Sequence, residues 1–342
     1  MVIFESFSGI PIDYESFLIE KYDSFITTCR YIEVNHKDSE INYYTVTEDG
    51  KLKELLVYGN KGNTAKCFNS LTSIDQEIIS EFTKKLFIKH PAVSKIEIIA
   101  SYCQYNLDKS LLSFKSDDQI LTLPSSMEEY FSKLNSHVRK NSKNRKVRFL
   151  KEFPTAKFET KYGSEIEKST VDKIILLNNN RMQSKGIVPG IDTTFKDSIF
   201  RYSTYYGCVA YIEIDGEIVA GCIATLLNNK IFAHVIGHDN NYSKYNLGEM
   251  CFMYSIETAI TKGLSTFHFL WGETEYKRRL LAKPHVLYFY SIYKSYSFDY
   301  LTDKVRFSIF TAKMNIQQSA ISKPIRDAIK SYRKNKLKEQ QN

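Results

Sequence analysis

The sequence has no apolar run long enough to cross a bilayer, no Cys-x-x-Cys pair, one tryptophan, and only 7 prolines and 14 glycines in 342 residues. The first absence excludes a membrane-spanning helix, which needs about 20 apolar residues in succession. The second excludes zinc ribbons and dithiol redox motifs. The six cysteines, at 29, 67, 103, 208, 222 and 251, stand singly and read as small buried hydrophobes in a reducing, cytoplasmic setting. Few glycines and prolines exclude collagen-like and linker-rich chains, and no low-complexity segment separates the halves. The segment Met1–Glu20 carries Glu5, Asp13 and Glu15 without a basic leader, so it is not read as a signal peptide. Aromatic residues are plentiful. With 24 Tyr, 22 Phe and 43% hydrophobic residues, the chain has enough apolar surface for two ordinary domains and is not a disordered one.

Acids are missing from one stretch. Lys133, Arg139, Lys140, Lys143, Arg145, Lys146, Arg148 and Lys151 follow one another with no carboxylate between them, enough to account for the net charge of +8. Lys330, Arg333, Lys334, Lys336 and Lys338 add a basic tail. A charge run is most often a solvated face. Like charges four residues apart destabilise a helix by a few tenths of a kcal/mol, about 0.2–0.5 per pair, so phosphates of an acceptor or of RNA are two further readings.

Periodicity divides the chain into strands and helices. Ile41–Val46 and Leu52–Tyr58 flank Glu48-Asp49-Gly50, a hairpin signal. Ser73-Ile74-Asp75-Gln76 predicts a capping box opening a helix with Ile74, Ile78, Phe82 and Leu86 on one side, which Pro91 stops. Lys95–Ala100 reads as a buried strand. After Pro124, Ser125-x-x-Glu128 and Ser126-x-x-Glu129 predict the start of one helix, packed in its first half and solvated or phosphate-facing in its basic second half. A second helix spans Ser169–Ser184. Cys208–Ile214, Glu217–Leu227 and Lys230–Asp239 read as hairpin-linked strands around Asp215-Gly216 and Asn228-Asn229. A helix from Gly248 with Phe252, Met253, Ile256, Ala259 and Ile260 on a buried face ends before Gly263, and Thr266–Trp271 returns as a strand. Pro284–Tyr293 is strand-like, and Asp299–Lys338 helical.

Three strings carry a resemblance: Glu217–Gly221, the Tyr242/Tyr245-Asn246-Leu247-Gly248 loop, and Phe267-His268-Phe269-Leu270-Trp271-Gly272 followed by Tyr276-Lys277-Arg278-Arg279. Together they resemble the acyltransferases grouped with the cellulose-biosynthesis protein CelD, within the GNAT superfamily of N-acetyltransferases and near the FemAB-like transferases. The basic helix from Pro124 to Phe153 is similar to the one preceding the catalytic half in that group. The sequence departs from the pattern at His268, where the group has Asp, and at Asn246-Leu247-Gly248, where it has a Pro-Gly opening. The superfamily loop Arg/Gln-x-x-Gly-x-Gly/Ala is matched clearly only at Gly248. The resemblance implies an α/β (α+β) fold of tandem GNAT-like domains, with mixed, mostly antiparallel sheets flanked by helices. It places a degenerate GNAT-like domain at 1–123, a basic connecting helix at 124–153, a catalytic domain at 154–300 and a basic helical tail at 301–342. It further implies transfer of an acyl group from acetyl-CoA or another acyl-CoA to an amine, without a metal. The acceptor would be a small molecule such as an amino sugar or a nucleotide- or lipid-linked sugar of cell-surface polysaccharide synthesis. The enzyme would lie in the cytoplasm or at the inner membrane face.

Such transfer needs a held donor, a deprotonated amine and hydrogen-bond donors for the developing oxyanion. Val235, Ile236 and Gly237 at a strand end and the backbone of Asn246, Leu247, Gly248 and Glu249 at a helix start are candidate donor-binding residues. His268 is the first candidate for general base, with a core histidine as the plainer reading. His234 is a second cleft residue. Four residues from His238 on a strand, it lies about 13 Å away and shares no metal with it. In the turn after the last strand, Glu273, Tyr276 and Lys277 are catalytic candidates: Tyr276 to protonate the leaving thiolate, Lys277 to hold a phosphate or the oxyanion. A solvated charged turn is the alternative. Arg139, Lys140 and Lys143 are candidates for an acceptor phosphate. Two other functions stay open: a FemAB-like transferase drawing on aminoacyl-tRNA, and a non-enzymatic protein holding RNA or an anionic surface.

Overall fold

The structure, a computed structural model, describes residues 2–271 and 275–318, the side chains of 312–318 apart. The chain runs through β1 (Val2–Ser8), α1 (Glu15–Tyr22), α2 (Cys29–Asn35), β2 (Glu40–Glu48), β3 (Lys51–Lys61), β4 (Thr64–Cys67), α3 (Gln76–Lys89) and β5 (Lys95–Ser101) into β6 (Ser110–Thr122). It continues through α4 (Met127–Lys133), α5 (Ser136–Glu152), β7 (Lys157–Tyr162), α6 (Lys168–Ser184), α7 (Thr193–Tyr206), β8 (Gly207–Ile214), β9 (Glu217–Leu227), β10 (Lys230–His238), α8 (Leu247–Thr261), β11 (Thr266–Trp271) and α9 (Glu275–Arg279). It closes with β12 (Lys283–Tyr293) and α10 (Phe298–Gln318). Two compact units result: residues 2–116 with 286–318, and residues 117–285. The boundaries fall inside β6 and β12, not at the sequence positions 123 and 300, because strand pairing rather than a linker decides which residues stay together.

In the first unit the strand order is β1-β2-β3-β4-β5-β12, antiparallel except for β4 beside β5. The β2–β3 turn is the expected hairpin: Asp49 and Gly50 both take positive φ, 51° and 75°, as a two-residue primed turn requires. Asp75, not Ser73, is the residue before α3, and its side chain makes no capping bond. The helix buries Phe82 and Leu86 of the predicted stripe together with Ile79 and Thr83, against a core with Tyr58 and Phe68, while Ile74 is buried just before it and Ile78 is only partly buried.

In the second unit the order is β6-β11-β10-β9-β8-β7, with β10 and β11 parallel and the rest antiparallel. Asp215 and Gly216 turn the β8–β9 hairpin at φ 52° and 84°. Helix α8 packs on one sheet face through Phe252, Met253, Ile256 and Ala259. It is buried on nearly every side, because Tyr130 of α4 and Phe149 of α5 belong to the same core. A helix apolar all round needs cover on both sides, and α4 and α5 supply it.

That arrangement corrects the reading of the basic segment. It is two helices. Ser126 caps α4 by accepting from Glu129 N (3.1 Å), while the Glu129 carboxylate accepts from Ser125 N (3.1 Å), and Asn135 restarts the chain as the cap of α5, accepting from His137 N at 2.9 Å. The acids missing between Lys133 and Lys151 come from α8: Arg145 pairs with Glu249 (3.3 Å) and Lys146 with Glu257 (3.6 Å). Lys143 and Arg148 lie over the rings of Phe131 and Tyr245, at 4.9 and 5.5 Å.

On the opposite sheet face α6 rests on a pair of glycines. Gly221 and Gly237 are cross-strand partners. A Cβ on Gly237 would stand 2.3 Å from the Ile174 carbonyl oxygen and 2.9 Å from Asn178 N, whereas one on Gly221 would meet the end of the Ile174 side chain at 2.4 Å. A backbone contact cannot yield as a side chain does. Gly237→Ala is therefore expected to lift α6 and destabilise the fold by about 1–3 kcal/mol, and Gly221→Ala by less. Urea unfolding of the two variants checks the order, and equal losses would show that α6 does not rest on Gly237.

Candidate active site

Parallel strands β10 and β11 pair only from Lys230↔Thr266 to Phe232↔His268. Two irregularities interrupt the sheet at that level. One lies on β10 between Ala233 and Val235, where it runs beside β9; the other lies on β11 between His268 and Trp271, where it runs beside β6. Leu270 takes a left-handed φ of 54°, a conformation that costs a non-glycine residue roughly 1–2 kcal/mol and concentrates at functional sites. The strands thus part, and the β10 segment holding Val235, Ile236 and Gly237 borders the gap.

Lys277 holds the bend. Its side chain is buried, and Nζ donates to the carbonyls of Leu270 (3.2 Å) and Trp271 (2.8 Å). Burial lowers its pKa to about 8, and the charge of Asp118 acts against that shift. Asp118 is itself fully buried and accepts from His268 Nδ1 or shares its proton at 2.7 Å. A buried ammonium facing a buried carboxylate is stable only with such added hydrogen bonds.

Above the parted strands a second group gathers. Burial pushes His238 down to about 4, and the charges of Arg181 and Lys185 on α6 push the same way. Lys185 is lowered by burial and then by Arg181. Burial also lowers Arg181, against the pull of Tyr276. Tyr276 stacks on Phe252, with ring centroids 5.7 Å apart. Among the described residues, Arg181 Nε and His238 Nδ1 are buried without a hydrogen-bond partner, and a buried polar group of that kind calls for an explanation.

The start of α8 differs from the sequence expectation. Gly248 does not face open space, because a Cβ there would lie 2.8 Å from His238 Nδ1. The side chain of Glu249, 9% exposed, sits in the first turn. It accepts from Arg145 (3.3 Å), Arg279 (3.3 Å) and Asn246 Nδ2 (2.9 Å). A helix start attracts anions, and here the chain supplies its own.

The structure brings Tyr276 and Lys277 to the parting strands and sets His268 at the last paired position. His268 is turned inward: it is buried, its ring tilted against that of Phe232 (4.4 Å between centroids), with Nε2 on Thr266 Oγ1 at 3.3 Å. His234 bonds Thr225 Oγ1 at 2.6 Å, and burial lowers it to about 4. Glu273 lies outside the described residues. Arg139 donates to the Phe131 carbonyl at 3.2 Å, while Lys140 and Lys143 are exposed. Sequence reasoning passed over Asp118, Arg181 and the carboxylate of Glu249. Gln119, beside Asp118, buries both amide heteroatoms without a partner among the described residues. A signal was available in Asp117-Asp118-Gln119 directly before Ile120-Leu121 in a strand, where buried charge needs a reason.

Residues 207–278 match the family model described as an acetyltransferase (GNAT) domain. No curated protein sequence matches the chain. Among solved structures, FemX shares the fold at 9% identity and a TM-score of 0.61, over 84% of this chain and 97% of that one. L-PGS from Bacillus licheniformis does so at 14% identity and 0.56, over 87% and 96%. A conserved protein of unknown function from Bacteroides thetaiotaomicron does so at 12% and 0.54, over 86% and 100%. The fold is thus a mixed α/β one of the GNAT kind, and the stretch that matches the acetyltransferase (GNAT) domain model lies within the second unit.

Proposed function

We propose that the chain is an N-acyltransferase that moves an acyl group from an activated ester or thioester to an amine, in the manner of the CelD-related group. The observation that carries this reading is the parting of β10 and β11 beyond Phe232↔His268, which leaves one strand edge beside a bent strand clamped by Lys277. An extended acyl arm fits such an edge by adding to the strand. In the transfer the amine nitrogen bonds to the acyl carbon, the donor's carbon–sulfur or carbon–oxygen bond breaks, and one proton passes from the amine to the leaving group. Tyr276, close to Arg181, is placed to hand that proton on. His268 acts through Asp118 as a positioning residue and does not touch the amine.

The GNAT match favours acetyl-CoA or another acyl-CoA as donor. The acyl arm fits the strand edge, but a diphosphate does not fit the start of α8 as long as Glu249 and His238 fill it. The occupied start of α8 favours a second reading, an aminoacyl ester carried on tRNA as in FemAB-like enzymes. For the acceptor we favour an amino sugar bearing a phosphate, met by Lys140 and Lys143. We take the first unit as a degenerate GNAT-like domain, and the reaction as cytoplasmic or at the inner membrane face. Release of free thiol from acetyl-CoA in the presence of amino-sugar phosphates, set beside transfer from aminoacyl-tRNA, tests the reading. Transfer from one donor is expected, and failure with both across a panel of amines would overturn it.

A further inference from the structure

The cations along α6 divide into two kinds. Lys168 meets Asp172 (3.0 Å) and Lys173 meets Glu217 (2.8 Å). Arg181, in the last turn, and Lys185, just past it, meet no carboxylate among the described residues. Arg181 is half-buried with Nε unpartnered, and a cation taken out of water without a counter-ion is costly. Lys277, the buried cation of the bent strand, avoids that cost through two carbonyls. Arg181 has no such partner, and an uncompensated charge beside a gap in the sheet is where a ligand's opposite charge belongs.

Its place follows the open strand edge. Asn178, three residues before Arg181, donates to the Ile236 carbonyl at 2.8 Å, and Gly237 admits the α6 backbone. The end of α6 therefore stands at the end of β10, next to His238. Burial, and then the charges of Arg181 and Lys185, keep that ring neutral against Asp239, whose carboxylate accepts from Asn241 N (2.9 Å). An acyl arm laid along β10 from Phe232 through Gly237 leads to this group.

We propose that Arg181 and Lys185 bind phosphate of the acyl donor beyond the end of β10. Two cations call for two negative charges, which a diphosphate or two successive phosphodiesters supply and a single carboxylate does not. The guanidinium offers paired N–H groups to two phosphate oxygens. Lys185, exposed at the rim, adds a charge, and the neutral His238 adds one N–H. The start of α8, filled by Glu249 and His238, is bypassed. That the phosphate belongs to a donor rests on the transferase reading, and it leaves the acceptor phosphate to Lys140 and Lys143.

Calorimetric titration of the full chain with coenzyme A, with pantetheine (which lacks phosphate), with total tRNA and with glucosamine 6-phosphate tests it. R181Q is expected to weaken coenzyme A or tRNA about tenfold or more and to leave pantetheine and glucosamine 6-phosphate as they were. Loss with coenzyme A identifies an acyl-CoA donor, and loss with tRNA an aminoacyl-tRNA one. K173Q, which removes a paired cation of the same helix, should change neither. Without ligand, the unfolding midpoint of R181Q should not fall, because an unpaired charge is removed. The proposal is overturned by unchanged donor binding in R181Q, by an equal loss in K173Q, by a lowered midpoint, or by failure of both donors to bind the natural sequence. Loss confined to glucosamine 6-phosphate also overturns it, giving the site to the acceptor. None of these measurements needs turnover, so absence of transfer beside Arg181-dependent binding counts against the transferase reading alone.

Discussion

Lys277→Met is expected to lower turnover about a hundredfold or more while leaving the chain folded. The ammonium orients two carbonyls, of Leu270 and Trp271, on the strand that must bend away from β10. Removing it lets the left-handed Leu270 relax and moves the bent strand by a fraction of an ångström to an ångström, a displacement that costs on the order of 10² in rate when it misaligns reacting groups. The stability change is smaller because two effects oppose. Each buried carbonyl left without a donor costs about 1–3 kcal/mol, but the desolvated ammonium goes as well. Turnover and thermal unfolding measured on the same preparation separate the two, and a loss of activity no larger than the loss of folded protein would deny Lys277 its place in the site. The pH response provides a second reading. Lys277 keeps its charge below about pH 8, so activity that depends on the charge falls above that pH, by about tenfold at one unit beyond. Stability moves the other way. An unfolded lysine stays protonated to about 10.4, so between these values the unfolded chain binds more protons, and this group favours folding as pH rises. An activity loss without a matching drop in stability above pH 8 is the expected signature.

Most of the second unit was legible in the sequence because its signals are local. Asp215-Gly216 can turn only as a tight hairpin, and the glycine at 263, with φ 71°, ends α8 as a C′ glycine does. The strands on either side of that hairpin alternate or run apolar, so their type is readable from the sequence. What failed was everything set by partners distant in sequence. The basic run between Lys133 and Lys151 looked unbalanced because its acids, Glu249 and Glu257, lie about a hundred residues on. The break at Leu134-Asn135 was hidden because Tyr130, Phe131, Leu134 and Val138 keep helical spacing across it. Strand β7 and helix α7 went unseen: β7 is half-buried throughout, with no clean alternation.

The candidate site divides along the same line. Tyr276 and Lys277 were found by a string of neighbouring residues, and the structure sets them beside the bend. His268 was reasoned from its place on the late strand and from the titration range of an imidazole. Period two tells which sheet face a side chain takes but not what covers that face, and Phe232, Asp118 and Thr266 close around it. Gly248 was read as room for a ligand because glycine permits close approach. In the structure His238 from the end of β10 takes that room. A glycine shows that something comes close, not what it is.

Glu249→Gln separates the two donors. The substitution keeps the side chain's size and its contact with Asn246 but removes the negative charge that Arg145 and Arg279 now meet. If the start of α8 is a phosphate site held shut by an internal anion, the variant exchanges repulsion for two available guanidiniums. Coenzyme A should then bind about tenfold tighter or better, a gain of ~1.4 kcal/mol and modest because both arginines are partly in solvent. Trp271, the only tryptophan and 43% exposed at the end of the bent strand, reports binding by its fluorescence. Arg145→Gln in the same background should cancel the gain. If coenzyme A binds the natural chain in the micromolar range and the variant no better, its phosphates are met elsewhere and Glu249 is structural. If neither form binds it while aminoacyl-tRNA donates its acyl group, the carboxylate is a specificity element that keeps a diphosphate out, because a negative charge buried at a helix start repels the group which that position otherwise attracts.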